Sequence, residues 1–324
     1  MTPLRILVPL DGSRFAEWAL PTAVSLADRL SADLELVIVY DEDPTVGGWP
    51  LDAEGVREWS IVYLDAVAGQ LRVRTDRPVE TTVLGGRHVA RTLERHIARA
   101  GADLIVMTTH GRGAFGRAWL GSTADHLVRH TPAAIMLIRP DTETVATMDM
   151  MPEFKRILLA VDGSALAEQA IPWARRVGVT YDASYTLLRA VPPVMNPQSP
   201  YLPHTIERTH EALEEGRKEA ERYLADLAER FIVNGATVHT ELQLPVRPAT
   251  AILHYADRNP IDLIALATHG RGGLTRALLG SVADKVVRGA HVPVLLVRPT
   301  TDAAEQGVTT NGDADELLRN GAPS

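Results

Sequence analysis

Residues 109–140 (THGRGAFGRAWLGSTADHLVRHTPAAIMLIRP) and 268–299 (THGRGGLTRALLGSVADKVVRGAHVPVLLVRP) are two versions of one segment. Many positions are identical, and most of the others exchange like for like. The repeat runs further. Arg5-Ile6-Leu7-Val8-Pro9-Leu10-Asp11-Gly12-Ser13 returns as Arg156-Ile157-Leu158-Leu159-Ala160-Val161-Asp162-Gly163-Ser164, and Asp103-Leu104-Ile105-Val106 returns as Asp262-Leu263-Ile264-Ala265. A period of about half the chain is too long for a solenoid and suits a duplicated domain. The expected layout is one domain at 1–140, a linker at 141–153 and a second domain at 154–300. A polar tail at 301–324 is expected to be disordered.

Within each copy, short apolar runs alternate with amphipathic stretches. In the first copy the strand candidates are Leu4–Leu10, Leu34–Tyr40, Val79–Leu84, Asp103–Met107 and Ala134–Ile138. Helix candidates lie between them at Arg14–Leu30, Gly55–Arg72, Val89–Arg99 and Ser122–Arg129. The second copy repeats the order, with a long helix from about Ile206 to Ile232 carrying Leu213, Ala220, Tyr223, Leu224, Leu227 and Phe231 at helical spacing. Strands alternating with helices predict an α/β fold: two tandem, doubly wound, five-stranded parallel sheets of the Rossmann-like or flavodoxin-like kind. Ligands bind such sheets beyond the carboxyl ends of the strands, where strand order reverses. Irregular stretches at Asp41–Ala53 and Pro192–His204 follow each second strand and are read either as lids or as variable surface loops.

Composition narrows the function. A net charge of −8 argues against a nucleic-acid binder. With no cysteine, the chain has no disulfide framework, thiolate metal site or cysteine nucleophile, which fits a cytoplasmic protein. Met1-Thr2-Pro3-Leu4-Arg5 leads straight into a strand, so no signal peptide is expected. The apolar runs are too short to span a bilayer.

The chemistry-bearing residues cluster at the strand ends. Gly111 and Gly113, then Gly270, Gly272 and Gly273, directly follow a strand. Glycines there let a backbone approach a ligand closely. Gly121-Ser122-Thr123 and Gly280-Ser281-Val282 then open a helix, whose amino terminus offers N–H donors and a favourable dipole to a phosphate. The competing reading is that Ser122 and Ser281 simply cap those helices, with Asp125 and Asp284 three residues later. Arg112 and Arg271 inside the glycine loop, and Arg117 and Arg276 beyond it, suit a phosphate neighbourhood or plain solvation. His110 and His269 lack a nominated acid or nucleophile and read as structural hydrogen bonders. Arg129 and Arg288 follow Asp125 and Asp284 at i+4, a helix-surface ion pair. The chain holds no G-x-x-x-x-G-K-[ST], no dinucleotide fingerprint after its first strand and no G-x-S-x-G.

This pattern resembles the universal stress protein family, whose ATP-binding members carry G-x2-G-x9-G-[S/T]. Gly111, nine residues, then Gly121-Ser122 match its second half, and Gly270, nine residues, then Gly280-Ser281 match again. The family's first glycine is Thr108 in one copy and Ala267 in the other. The resemblance implies ATP as ligand, with Mg2+ carried on its phosphates, and one adenine-nucleotide site per domain. It also implies that Asp11 and Asp162, ending the Pro9 and Ala160 motifs, contact the nucleoside, and that backbone at Val39 and Ala190 contacts adenine. From the residues alone, Asp11 and Asp162 with their neighbouring serines could equally cap the first helix. The resemblance further implies an internal pseudo-dimer in which the last strands pair, further association between chains being optional, and a stress-response regulator acting through a protein partner. Two other readings stand beside it: a slow ATP hydrolase or phosphoryl-transfer protein, and a ligand-free interaction module.

Overall fold

The computed structural model describes residues 3–42, 52–110, 120–141, 144–193, 203–232, 235–269 and 279–299. The first half runs β1 (Arg5–Leu10), α1 (Ala19–Leu30), β2 (Asp33–Tyr40), α2 (Ala53–Arg72), β3 (Val79–Gly85), α3 (Val89–Ala100), β4 (Leu104–Thr108), α4 (Ser122–His130) and β5 (Ala134–Ile138). The second runs β6 (Arg156–Ala160), α5 (Ala165–Glu168), α6 (Ile171–Thr180), β7 (Ser184–Ala190), α7 (Pro203–Ile232), β8 (Val238–Gln243), α8 (Pro248–Arg258), β9 (Leu263–Ala267), α9 (Ser281–Gly289) and β10 (Val294–Val297). The first helix of each half is shorter than its amphipathic pattern predicts. A short 3-10 turn at Ala16–Trp18 precedes α1, and α5 stops at Glu168 before α6 begins. Proline explains the break: the rings of Pro21 and Pro172 would strike the carbonyls four residues back, at Glu17 and Glu168.

The ten strands among the described residues join one sheet in the order β3-β2-β1-β4-β5-β10-β9-β6-β7-β8. Pairing is parallel within each half and antiparallel at the junction, where Val294, Leu295 and Leu296 lie opposite Leu137, Met136 and Ile135. The duplication therefore builds a pseudo-dimer inside one chain, and the carboxyl ends of its two strand sets face opposite rims of the common sheet. Strand order reverses between β1 and β4 in one half and between β6 and β9 in the other.

Helices cover both faces, as the continuous apolar strands require. One core packs α1, α2, α6 and α7 on the sheet through Leu26, Leu64, Leu71, Ala174, Leu224 and Phe231. The other packs α3, α4, α8 and α9 through Ile97, Leu127, Ile252 and Val286. Each core crosses the junction between halves. The connecting stretch is tied down as well: Ser25 Oγ donates to Pro152 O at 3.1 Å and shares a 2.6 Å hydrogen bond with Tyr181 Oη, and Phe154 meets the Tyr181 ring edge-on at 5.3 Å.

Candidate functional site

Each crevice is built from a strand end, a turn and a helix start. At the end of β1, Gly12 adopts φ +75°, which turns the chain and lets Asp11 Oδ1 accept from Ser13 N–H at 2.9 Å. Ser13 Oγ in turn accepts from Ala16 N–H at 3.2 Å. The second half repeats this around Gly163 at φ +85°: Asp162 Oδ1 accepts from Ser164 N–H at 2.9 Å and Ser164 Oγ–H at 2.6 Å, while Ser164 Oγ accepts from Ala167 N–H at 3.2 Å. Serine therefore makes the capping contact, and the aspartate orients it. Pro9 and Ala160, two residues before the aspartates, are half-buried.

The second strand overshoots its neighbour. The register between β1 and β2 ends at Leu10 opposite Ile38, and that between β6 and β7 ends at Ala160 opposite Leu188. Val39 and Ala190 thus run past the β1 and β6 ladders along the lip of the crevice, still paired on the other side with Leu84 and Gln243.

The far wall is a helix start tied to a strand end. Gly121 N–H donates to Thr109 O at 2.7 Å and Gly280 N–H to Thr268 O at 2.9 Å. A Cβ on Gly121 would sit 3.2 Å from Thr109 O, and one on Gly280 would sit 2.5 Å from Thr268 O. This close approach, rather than an unusual φ, demands glycine. It also overturns the competing reading in which Ser122 and Ser281 cap these helices. The N-cap residues are Gly121 and Gly280, neither helix has a side-chain cap, and the serines stand exposed one position inside. The first helical bonds reach only Asp125 N–H and Asp284 N–H, from the glycine carbonyls. Amides at Ser122, Thr123 and Ala124, and at Ser281, Val282 and Ala283, therefore form a first turn that no side chain among the described residues caps. Arg129 Nε and Nη2 donate to Asp125 at 2.9 and 2.7 Å, and Arg288 Nε donates to both carboxylate oxygens of Asp284 at 2.9 and 3.0 Å. The i+4 ion pairs form as the spacing predicts, and they leave the helix starts without a bare carboxylate.

Thr108 and His110 shape the entry to the loop. Thr108 Oγ1 donates to His110 O at 2.7 Å, so the β-branched side chain at this glycine position of the motif is folded onto the backbone. Ala267 has no such donor. Thr109 Oγ1 and His110 Nδ1 share a 2.9 Å hydrogen bond, and Thr268 Oγ1 and His269 Nδ1 a 3.1 Å one. Burial, with Arg139 nearby, holds the His110 imidazole below its ordinary pKa, which keeps it neutral at physiological pH. Nε2 of both histidines is buried without a hydrogen-bond partner among the described residues. Gly111, Arg112, Gly113, Arg117, Gly270, Arg271, Gly272, Gly273 and Arg276 lie outside the described residues, as do most of the two lid candidates.

A family model described as the universal stress protein family matches residues 4–139 and, separately, 153–298. The chain belongs to the universal stress protein family. A universal stress protein of Mycolicibacterium smegmatis is 30% identical over 315 residues, covering 92% of this chain and 98% of that one. A Methanocaldococcus jannaschii relative is 34% identical over 149 residues, 45% of this chain and 82% of its own. The crystal structure of an Archaeoglobus fulgidus universal stress protein superimposes with a TM-score of 0.64 at 18% identity, over 92% of this chain and 97% of that one, and so shares the fold.

In this universal stress protein, the sheet brings Asp11, Val39, Thr108, His110 and Gly121–Thr123 to one rim, and Asp162, Ala190, Ala267, His269 and Gly280–Val282 to the other. Sequence reasoning passed over Thr109 and Thr268, whose carbonyls anchor the helix starts, and Leu120 and Leu279, which bury the end of each nine-residue spacer. The signal was there: both pairs recur unchanged in the two copies. No helix among the described residues is long and apolar enough to cross a membrane.

Proposed function

We infer that this universal stress protein binds an adenine nucleotide in each half and acts as a nucleotide-dependent regulator in a stress response. The observation that carries the reading is the uncapped first turn of α4 and of α9, held by glycine against a strand end and facing an aspartate-marked lip. Amide donors at a helix start hold phosphate oxygens without a lysine. The overshooting backbone at Val39 and Ala190 offers a hydrogen-bonding edge to a base, and Asp11 and Asp162 stand where ribose hydroxyls would reach. Mg2+ would arrive on the phosphates, with few protein ligands.

A substitution that spares the fold tests this. Ser122 and Ser281 are exposed first-turn residues, so Ser122→Asp with Ser281→Asp should leave the melting temperature unchanged or slightly raised through the helix dipole, worth about 0.3–1 kcal/mol per helix. The same carboxylates would face the phosphates, and like charges in contact cost several kcal/mol. ATP affinity measured by calorimetric titration should fall at least about tenfold. Wild-type protein that takes up no adenine nucleotide at millimolar concentration would instead favour a ligand-free interaction module.

A further inference from the structure

Sulfur is unevenly placed in this chain. There is no cysteine, and three of the seven methionines, Met148, Met150 and Met151, crowd into the stretch that joins the halves. Met107 and Met136 sit inside strands at 6% and 0% exposure. Met1 and Met195 lie outside the described residues. Among the described residues, the thioethers that solvent can reach are therefore those of the joining stretch. Met150 is 45% exposed, and Met148 and Met151 are half-buried.

The joining stretch is a strap laid over the core. A 3-10 turn at Met148–Met150 packs against α1 and is closed by Met150 N–H, which donates to Thr147 O at 3.0 Å. Met148 and Met151 pack on the core that α1, α2, α6 and α7 share. The strap is fixed just beyond them, by the Ser25 hydrogen bond to Pro152 O and by Phe154, fully buried against Tyr181. Arg74 Nη1 also donates to Asp149 Oδ1 at 3.3 Å, but both side chains are exposed, and such a pair adds little. Docking of the turn thus rests on two thioethers. A thioether is apolar and adaptable, whereas its sulfoxide is polar, and a polar oxygen buried without a partner is unfavourable.

We propose that Met148, Met150 and Met151 form an oxidant-modified site, in which a peroxide converts the exposed Met150 first and then the half-buried pair, releasing the strap from the core. The thioether sulfur attacks one oxygen of hydrogen peroxide. The O–O bond breaks and an S–O bond forms. Sulfur loses two electrons, and the second oxygen, reduced, takes the proton of the transferred hydroxyl and leaves as water. Methionine sulfoxide reductases reverse the change, so the mark is erasable. No residue of either crevice takes part, and the proposal stands apart from the nucleotide reading.

The test is graded hydrogen peroxide on the full chain, with peptide mass spectrometry and melting temperature read together. Oxygen should enter at Met150 first, then at Met148 and Met151, with Met107 and Met136 about tenfold slower or more. As the half-buried pair is oxidised, the melting temperature should fall by about 2–4 °C or more, and a methionine sulfoxide reductase should restore it. Leucine keeps the apolar volume and resists the oxidant. Met148→Leu with Met151→Leu should therefore hold its melting temperature through the same treatment, whereas Met150→Leu should lose it as wild type does. Strap methionines oxidised no faster than Met107 and Met136 would overturn the proposal, as would a fully oxidised strap with unchanged melting. The double variant keeps Met1 and Met195, so a loss in it equal to that of wild type places the effect elsewhere and also overturns the proposal. If the double variant does not fold, the wild-type map, followed residue by residue against melting, decides the matter.

Discussion

Glu35 is a buried carboxylate in the middle of β2, its side chain 3% exposed. It accepts from Thr82 Oγ1 at 2.7 Å and Arg5 Nη1 at 3.3 Å, and shares a 2.6 Å hydrogen bond with His96 Nε2. Burial pushes its pKa up, but the hydrogen bonds from Thr82, His96 and Arg5 outweigh it, and the carboxyl titrates below its ordinary range. A carboxyl depressed in the folded state stabilises fully above its unfolded value, and that stabilisation is lost as pH falls through the folded one. Glu35→Gln should therefore cost about 1–3 kcal/mol at neutral pH. It should also flatten the loss of stability on acidification, as read from urea midpoints at pH 7 and pH 3.5. An acid limb identical to wild type would remove Glu35 from the account. The second half has Thr186 at this rung, so the contribution belongs to the first half alone. Nothing in the string Leu34-Glu35-Leu36 announces this role, because alternation there reads equally as a solvent-facing position. The partners come from β1, β3 and α3, far away in sequence.

Among elements, the starts of α4 and α9 carry the most. Each is pinned by a glycine N–H to a strand-end carbonyl, but the fit is tighter in the second half: a Cβ would meet Thr268 O at 2.5 Å, against 3.2 Å from Thr109 O. Gly280→Ala should thus destabilise by about 1–3 kcal/mol, as overpacking does, and Gly121→Ala by less. Chemical denaturation of the two single variants checks the order; equal losses would refute the steric account. The same geometry disqualifies Gly280→Glu as a clean probe of phosphate repulsion, since any side chain there must first displace backbone. Elements of this kind were legible in the sequence to a large extent. The five strands of the first half fall within a residue of their apolar runs, because buried parallel strands read as continuous Val, Leu and Ile. The helix caps were not legible. Gly-Ser before a helix reads as a serine cap, and only the distance to the Thr109 or Thr268 carbonyl moves the cap to glycine. Nor could the pattern show that Pro21 and Pro172 split an amphipathic stretch that looks continuous.

At the scale of the whole molecule, the repeat foretold two like units but not how firmly they would merge. Both cores run unbroken across the β5–β10 junction, where Ile135, Met136, Leu137, Val294, Leu295 and Leu296 are all buried. Each core takes residues from both halves. Heating should therefore give one cooperative transition, with calorimetric and van't Hoff enthalpies in agreement. Two well-separated transitions would show that the halves unfold as independent domains. The antiparallel seam has one more result. Because it turns the second half head-to-tail against the first, the two crevices open on opposite sides, like sockets at either end of a coupling. The ends of the first-half and second-half parallel strands thus lie at opposite rims of one continuous sheet.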